Sequence, residues 1–149
     1  CWLEDGVLSN LAPNKRPRST LSPSLALRDG EPYMVFGTPG GDQQDQWTLQ
    51  FFLNVAEFGM DLQEAIDAPT VHTSHFPSSF HPRGAELNKM SAEARIPADT
   101  RSALEARGHE VAVDDAWSHG RVLGIRLNDN GVIEGAASPR SRMAYCIGW

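Results

Sequence analysis

The sequence predicts an α+β domain in which helices pack on an antiparallel sheet. Two strand–turn–strand patterns carry that expectation: Ser24–Arg28 with Pro32–Phe36 across Asp29-Gly30, and Val122–Leu127 with Val132–Ala136 across Asn128-Asp129-Asn130-Gly131. A third observation adds the helical layer, because Trp47, Phe51, Val55 and Phe58 recur at helical spacing between the two hairpins. At 149 residues the chain suffices for one domain with a real core and falls short of two, so residues 1–149 are read as a single domain.

Taken in order, residues 1–20 are rich in turn formers and mainly loop, with Lys15, Arg16 and Arg18 giving a local positive field or simply a solvated charge run. The first hairpin follows, and its second strand delivers the chain to Thr38-Pro39-Gly40-Gly41. There an apolar run ends and an amphipathic pattern begins, so a largely buried helix over residues 43–58 is expected, stopped by Gly59. The stripe of Trp47 and the phenylalanines is core in this reading, not a cofactor site. Asp61-x-x-Glu64 resembles a capping box for a short second helix that Pro69 closes. From Thr70 to Arg83 the chain has no period, which suggests a surface excursion with one short strand near Val71. Pro97 opens a third helix ending at Gly108, and Glu110–Asp114 reads as a strand before the second hairpin.

Composition excludes some function classes. With 19 acidic against 13 basic residues, the net charge of −6 argues against nucleic-acid binding through a broad basic face. No apolar run approaches the roughly 20 residues needed to span a bilayer, so membrane insertion by a helix is not expected. The first residue is Cys1, not Met, which suggests a processed or excised chain and leaves cytoplasmic, periplasmic and extracellular locations open. Cys1 and Cys146 have no metal-type spacing. A disulfide between them has no support from spacing, Cys146 is expected to be buried, and Cys1 opens a loop, not the apolar strand that an N-terminal nucleophile usually begins.

Three local features invite an anion: the basic loop, the hydroxyl pair Ser19-Thr20, and the amides of Gly40 and Gly41 near a helix N-terminus. A glycine pair admits positive φ and close approach of a ligand to the main chain, and paired amides can stabilise an oxyanion. A plain turn satisfies the same residues. His72, His75 and His81 form a loose H-x-x-H-x5-H pattern that fits a polar loop better than a metal site, and neither metal nor cofactor is expected. Asp42 and Asp45 fit helix capping and the macrodipole as well as acid–base work. No nucleophile with its base is evident.

With those residues in hand, the chain resembles the C-terminal part of the small subunit of the gamma-glutamyltranspeptidase family. The resemblance is carried by Pro13-Asn14-Lys15-Arg16-Pro17-Arg18-Ser19-Thr20-Leu21-Ser22-Pro23, Thr38-Pro39-Gly40-Gly41, Leu53-Asn54-Val55, the run Phe58–Pro69, Leu104–His109, and Gly135-Ala136-Ala137-Ser138-Pro139-Arg140, in the family's order. It implies a fragment of the αββα sandwich of N-terminal nucleophile hydrolases, an enzyme that cuts its own precursor. A new N-terminal threonine then attacks a gamma-glutamyl amide such as glutathione and forms an acyl-enzyme. It further implies that Gly40 and Gly41 form the oxyanion hole, and that Ser19 and Thr20 stand where a Ser-Ser pair binds the donor's α-carboxylate. The implied partners are the gamma-glutamyl substrate, the large subunit, and the N-terminal part of the small subunit.

Departures set limits on the resemblance. The nucleophilic threonine, the acidic residue that holds the donor amino group and the donor-binding arginine are all missing from this chain, so it should be inactive alone. Asp42-Gln43-Gln44-Asp45 replaces a small and basic sequence after the glycine pair, and Ser138 replaces the usual Asp. Two further readings stay open: an acylase of the same family taking a glutaryl or cephalosporin-type acyl group, and a non-catalytic anion-binding or interaction module. A lone fragment of a sandwich would also expose a sheet edge or an apolar face and tend to associate with itself.

Overall fold

The structure, a computed structural model, describes residues 2–148. In chain order its elements are β1 (Ser24–Arg28), β2 (Glu31–Gly37), a 3-10 turn (Gly41–Gln43), α1 (Gln44–Ala56), α2 (Leu62–Asp67), β3 (Val71–Thr73), β4 (Lys89–Glu93), α3 (Ala98–Glu105), β5 (Glu110–Asp114), β6 (Leu123–Leu127) and β7 (Ile133–Ala137). The first hairpin turns as its sequence dictates, Asp29 and Gly30 taking φ of 53° and 87°. β2 then pairs antiparallel with β6, and β6 with β7, giving a four-stranded antiparallel sheet in the order β1-β2-β6-β7.

One face of that sheet carries the core. Met34 and Ala136 pack against Trp47, Phe51 and Val55 of α1 and against Leu62, Ala65 and Ile66 of α2. Phe51 lies so close to the sheet that a Cβ added at Gly124 would stand 2.6 Å from its ring, which is why β6 carries a glycine there. The opposite face is also apolar yet open: Leu25, Leu27, Val35, Leu123, Ile125, Leu127 and Ile133 are 40–72% exposed. Leu25, Val35 and Ile125 lie in one cross-strand row, so the apolar surface is continuous across three strands.

The expected antiparallel sheet packed with helices is present, and the structure adds a strand that the sequence did not indicate, β4. A second sheet, β3-β4-β5, pairs β3 with β4 antiparallel and β4 with β5 in parallel, with α3 making the crossover between the parallel strands. β4 escapes a sequence reading because Lys-Met-Ser-Ala-Glu has neither an apolar run nor a clean alternation. α1 is shorter than the expected 43–58 and buries only one side: Leu49 and Leu53 are exposed, and Phe58 lies beyond the helix end, 69% exposed. α2 begins with the capping box its sequence shows, Glu64 N–H donating to Asp61 Oδ1 at 2.7 Å and Asp61 N–H to Glu64 Oε2 at 3.2 Å. Pro97 occupies the N-cap of α3. Cys146 is a free and exposed cysteine, not the buried one expected, because the chain after Arg140 runs over the surface. The readings of Cys1 fall outside the described residues.

Two polar devices join the sheets. Glu93, fully buried at the end of β4, accepts from the backbone N–H groups of Thr70 and His119 and from the guanidinium groups of Arg95 and Arg140. Burial pushes its carboxyl up, but the Arg140 hydrogen bonds and the two amides outweigh that and hold it below the ordinary value. Arg140 also donates to the carbonyls of Ile66 and Ala68, tying the end of α2 into the same knot. The second device runs along α1. Gln50 accepts from Val71 N–H at 3.0 Å and donates to Val71 O at 2.8 Å, while Gln46 does the same with Thr73 at 2.8 and 3.1 Å. Two side-chain amides thus serve the edge of β3 as a neighbouring strand would.

Candidate active site around the Gly40-Gly41 turn

The site begins where β2 runs out. Gly40 and Gly41 take φ of 147° and 64°, values that L side chains rarely adopt, and lead through the 3-10 turn into the N-terminus of α1. This is the exposed turn at a helix start that the sequence implied. A Cβ on Gly40 would stand 2.2 Å from the Trp47 ring and one on Gly41 would stand 3.1 Å from Phe80, so on that side of the turn the missing Cβ atoms make room for protein rings.

Trp47 belongs to a buried aromatic group. Its ring packs on Gly40 and Gly120, meets His72 edge-on at 5.3 Å and stacks with His119 at 6.1 Å. His119 Nδ1 lies 3.3 Å from Thr70 O and Nε2 lies 2.8 Å from Asp114 Oδ2. The hydrogen bond from His119 leads in holding the Asp114 carboxyl below its ordinary value. His72 is driven down from 6.5 to about 4, first by burial and then by the neighbouring His119 charge. The three loop histidines do not act together: His72 joins this group, His75 Nε2 accepts from Asn88 N–H, and His81 precedes a cis-proline. Among the described residues no group of three His, Cys, Asp or Glu side chains is placed to hold a metal ion.

The residues after the glycine pair grip the surrounding loops. Asp42 accepts from Ser78 Oγ at 3.2 Å, from Ser79 N–H at 2.7 Å and from Ser79 Oγ, and pairs with Arg18 at 3.8 Å. Burial raises its carboxyl, but the serine hydrogen bonds and Arg18 prevail and leave it below the ordinary value. The loop so held borders a cleft of about 600 Å³ lined by Arg18, Asp42, Gln46, Phe76, Phe80 and His81. Of the basic trio, Arg18 also donates to Pro77 O, while Lys15 turns back to Asn10 Oδ1 at 2.6 Å.

Thr20 reaches the turn through Gln44. With its amide oriented to match donors to acceptors, Gln44 donates to Thr20 O at 3.2 Å and Thr38 O at 2.9 Å, and accepts from Gly41 N–H at 3.3 Å. The Thr20 carbonyl and the Gly41 amide, 21 residues apart in the chain, are therefore held on one side chain, while the exposed Ser19 accepts from Leu21 N–H on its Oγ at 3.2 Å. Thr38 is fixed in turn, its Oγ1 accepting from Arg121 N–H at 2.7 Å. Sequence reasoning named both pairs but missed Gln44, Phe80 and the Ser78-Ser79 clamp. A signal existed for Gln44, a polar residue on the same helical face as Trp47 and Phe51.

Comparison with known proteins decides the family. The gamma-glutamyltranspeptidase family profile matches residues 4–147. This chain belongs to the gamma-glutamyltranspeptidase family. It is 32% identical over 139 residues to the glutathione hydrolase proenzyme of Escherichia coli strain K12, covering 93% of this chain and 22% of that protein. The chain spans about a quarter or less of the length of curated relatives it resembles, 22% and 25% in two cases. Among solved structures it superposes on LmbA2991HD with a TM-score of 0.93 at 49% identity, covering 99% of this chain and 27% of that one. The cephalosporin acylase of Bacillus halodurans superposes at 0.80 with 29% identity, covering 94% and 24%. The α+β fold is thus that of the N-terminal nucleophile hydrolases of this family and of related acylases. Its relatives are made as proenzymes and extend well beyond the region matched, consistent with a larger precursor.

Proposed function

We propose that this chain supplies the oxyanion turn and the carboxylate-binding segment of an enzyme that transfers or hydrolyses gamma-glutamyl groups from glutathione-like amides. The reading rests chiefly on one observation: Gln44 holds Thr20 and Gly41 side by side. An acyl donor with its α-carboxylate at the Ser19 and Thr20 hydroxyls would then lay its scissile carbonyl toward the glycine turn. A threonine supplied from outside these 149 residues would attack that carbonyl, and the carbonyl oxygen would gather negative charge as the tetrahedral intermediate forms. Collapse of the intermediate would expel the amine and leave an acyl-enzyme for water or an amino acid to resolve. The Gly40 amide has no hydrogen bond among the described residues, and the Gly41 amide makes only the long contact to Gln44. Both sit at the positive end of α1, where developing negative charge is favoured.

The test is Gly41→Leu in the complete protein, assayed with a gamma-glutamyl anilide. Leucine keeps the backbone N–H but strains a φ of 64° and drives a side chain against the Phe80 ring, so the amide is moved off the developing oxyanion. Losing such a donor costs about 2.7–4 kcal/mol of transition-state stabilisation, and kcat falls about 10²–10³-fold while KM for the donor changes little. Unchanged turnover would remove the glycine pair from the mechanism.

A second reading, an acylase taking a related side-chain amide, is supported by the Phe76 and Phe80 cleft beside Gly41 and by the likeness to the cephalosporin acylase. Faster release from a glutaryl amide than from the gamma-glutamyl anilide would favour it.

A further inference from the structure

We propose that Gln44 is a positioning residue that sets the spacing between the donor-carboxylate segment and the oxyanion turn; this rests on the site assignment above. Gln44 is 8% exposed and opens α1, one turn before Trp47, Thr48 and Phe51, which anchor the helix in the core. Thr48 Oγ1 donates to its carbonyl at 2.8 Å, so its backbone is referenced to that core as well. From this fixed base its amide reaches three separate stretches of chain at once: Thr20 before β1, Thr38 at the end of β2, and Gly41 in the turn.

Gln44 itself is buried while Thr20, Thr38 and Gly41 are half-buried, so water replaces a bond lost here only in part. The Thr20 loop has no secondary structure of its own, and the Gln44 donor bond to its carbonyl ties it to Gly41 beside the longer Arg18–Asp42 ion pair at 3.8 Å. At 3.3 Å the bond from Gly41 N–H is the longest of the three, beyond the usual N–H···O length. It orients that amide without satisfying it fully, and a charged oxygen compresses such a bond and competes well for the same hydrogen. Gln44 therefore couples recognition of the donor's carboxylate to alignment of the carbonyl being attacked.

Gln44→Met in the complete protein keeps the shape and removes all three bonds, while Gln44→Glu keeps the acceptor for Gly41 and sets a carboxylate against two carbonyls. Two anilides are compared, one gamma-glutamyl and one 4-aminobutyryl, which lacks the α-carboxylate. The expected result is that the wild-type preference for the carboxylate-bearing donor shrinks about tenfold in both variants, with KM for that donor rising, as loss of a partly buried hydrogen-bond tie predicts. A purely structural role would lower the amount of folded enzyme and leave that ratio unchanged, which overturns the proposal. Hydrogen exchange is measured in parallel on peptides covering 18–22 and 38–43. Both should exchange faster in the variants while residues 47–55 stay protected; unchanged exchange in both peptides overturns the tie. Should the wild type turn over neither anilide, the proposed reaction fails, and the exchange result alone still decides whether Gln44 joins the two segments.

Discussion

His72 is the residue whose surroundings most constrain its chemistry. Its imidazole lies 4.6 Å from that of His119 and edge-on to Trp47, and burial with the His119 charge lowers it from 6.5 to about 4. A depressed histidine is neutral in the folded state while the unfolded chain still binds a proton, so folding stability rises with pH between those two values. The contribution is complete above 6.5 and is lost as pH falls toward about 4. Denaturant unfolding of the complete protein should show the midpoint falling across that window, and His72→Phe should flatten the fall; an equal slope in both proteins would exclude His72 as its source. The glycine pair could be read from sequence because positive φ and a helix start leave a local signature. Gln44 and Asp42 could not be assigned their partners, because those lie 24 and 37 residues away at Thr20 and Ser79 and no local pattern encodes such a distance.

At the level of elements, the hairpins and α2 were legible because their turn and cap residues act over three or four positions. β4 was not, since its place is fixed by partners on both sides and by the burial of Glu93 among two arginines. The fit of α1 to the sheet gives a prediction of its own. Gly124→Val places side-chain atoms inside the 2.6 Å gap to the Phe51 ring, and Phe51→Ala empties the same contact. The cavity variant should lose about 3–5 kcal/mol and the overpacked one about 1–3 kcal/mol. The double variant Gly124→Val with Phe51→Ala should recover part of both losses, and strict additivity in urea unfolding would show that the two positions do not share a space.

For the whole molecule, the consequential surface is the apolar face of the four-stranded sheet. Seven aliphatic side chains there are at least 40% exposed, more than a free-standing domain usually presents in one patch. In the complete protein we expect this face to be covered by further sheet, as the family's sandwich requires. Produced alone, these 149 residues should sediment as associated species and brighten a dye that binds apolar surface; a clean monomer without dye binding would refute that. The seam between the two sheets is of another kind. Gln46 and Gln50 are one helical step of four residues apart, about 6 Å along the axis, and Val71 and Thr73 are two strand residues apart, about 6.6 Å. The two pitches are nearly commensurate, so α1 works as a ruler laid along β3. Deleting one residue between Pro69 and Ser74 would shift the marks by half a division, and no rotamer of either glutamine could read the new scale.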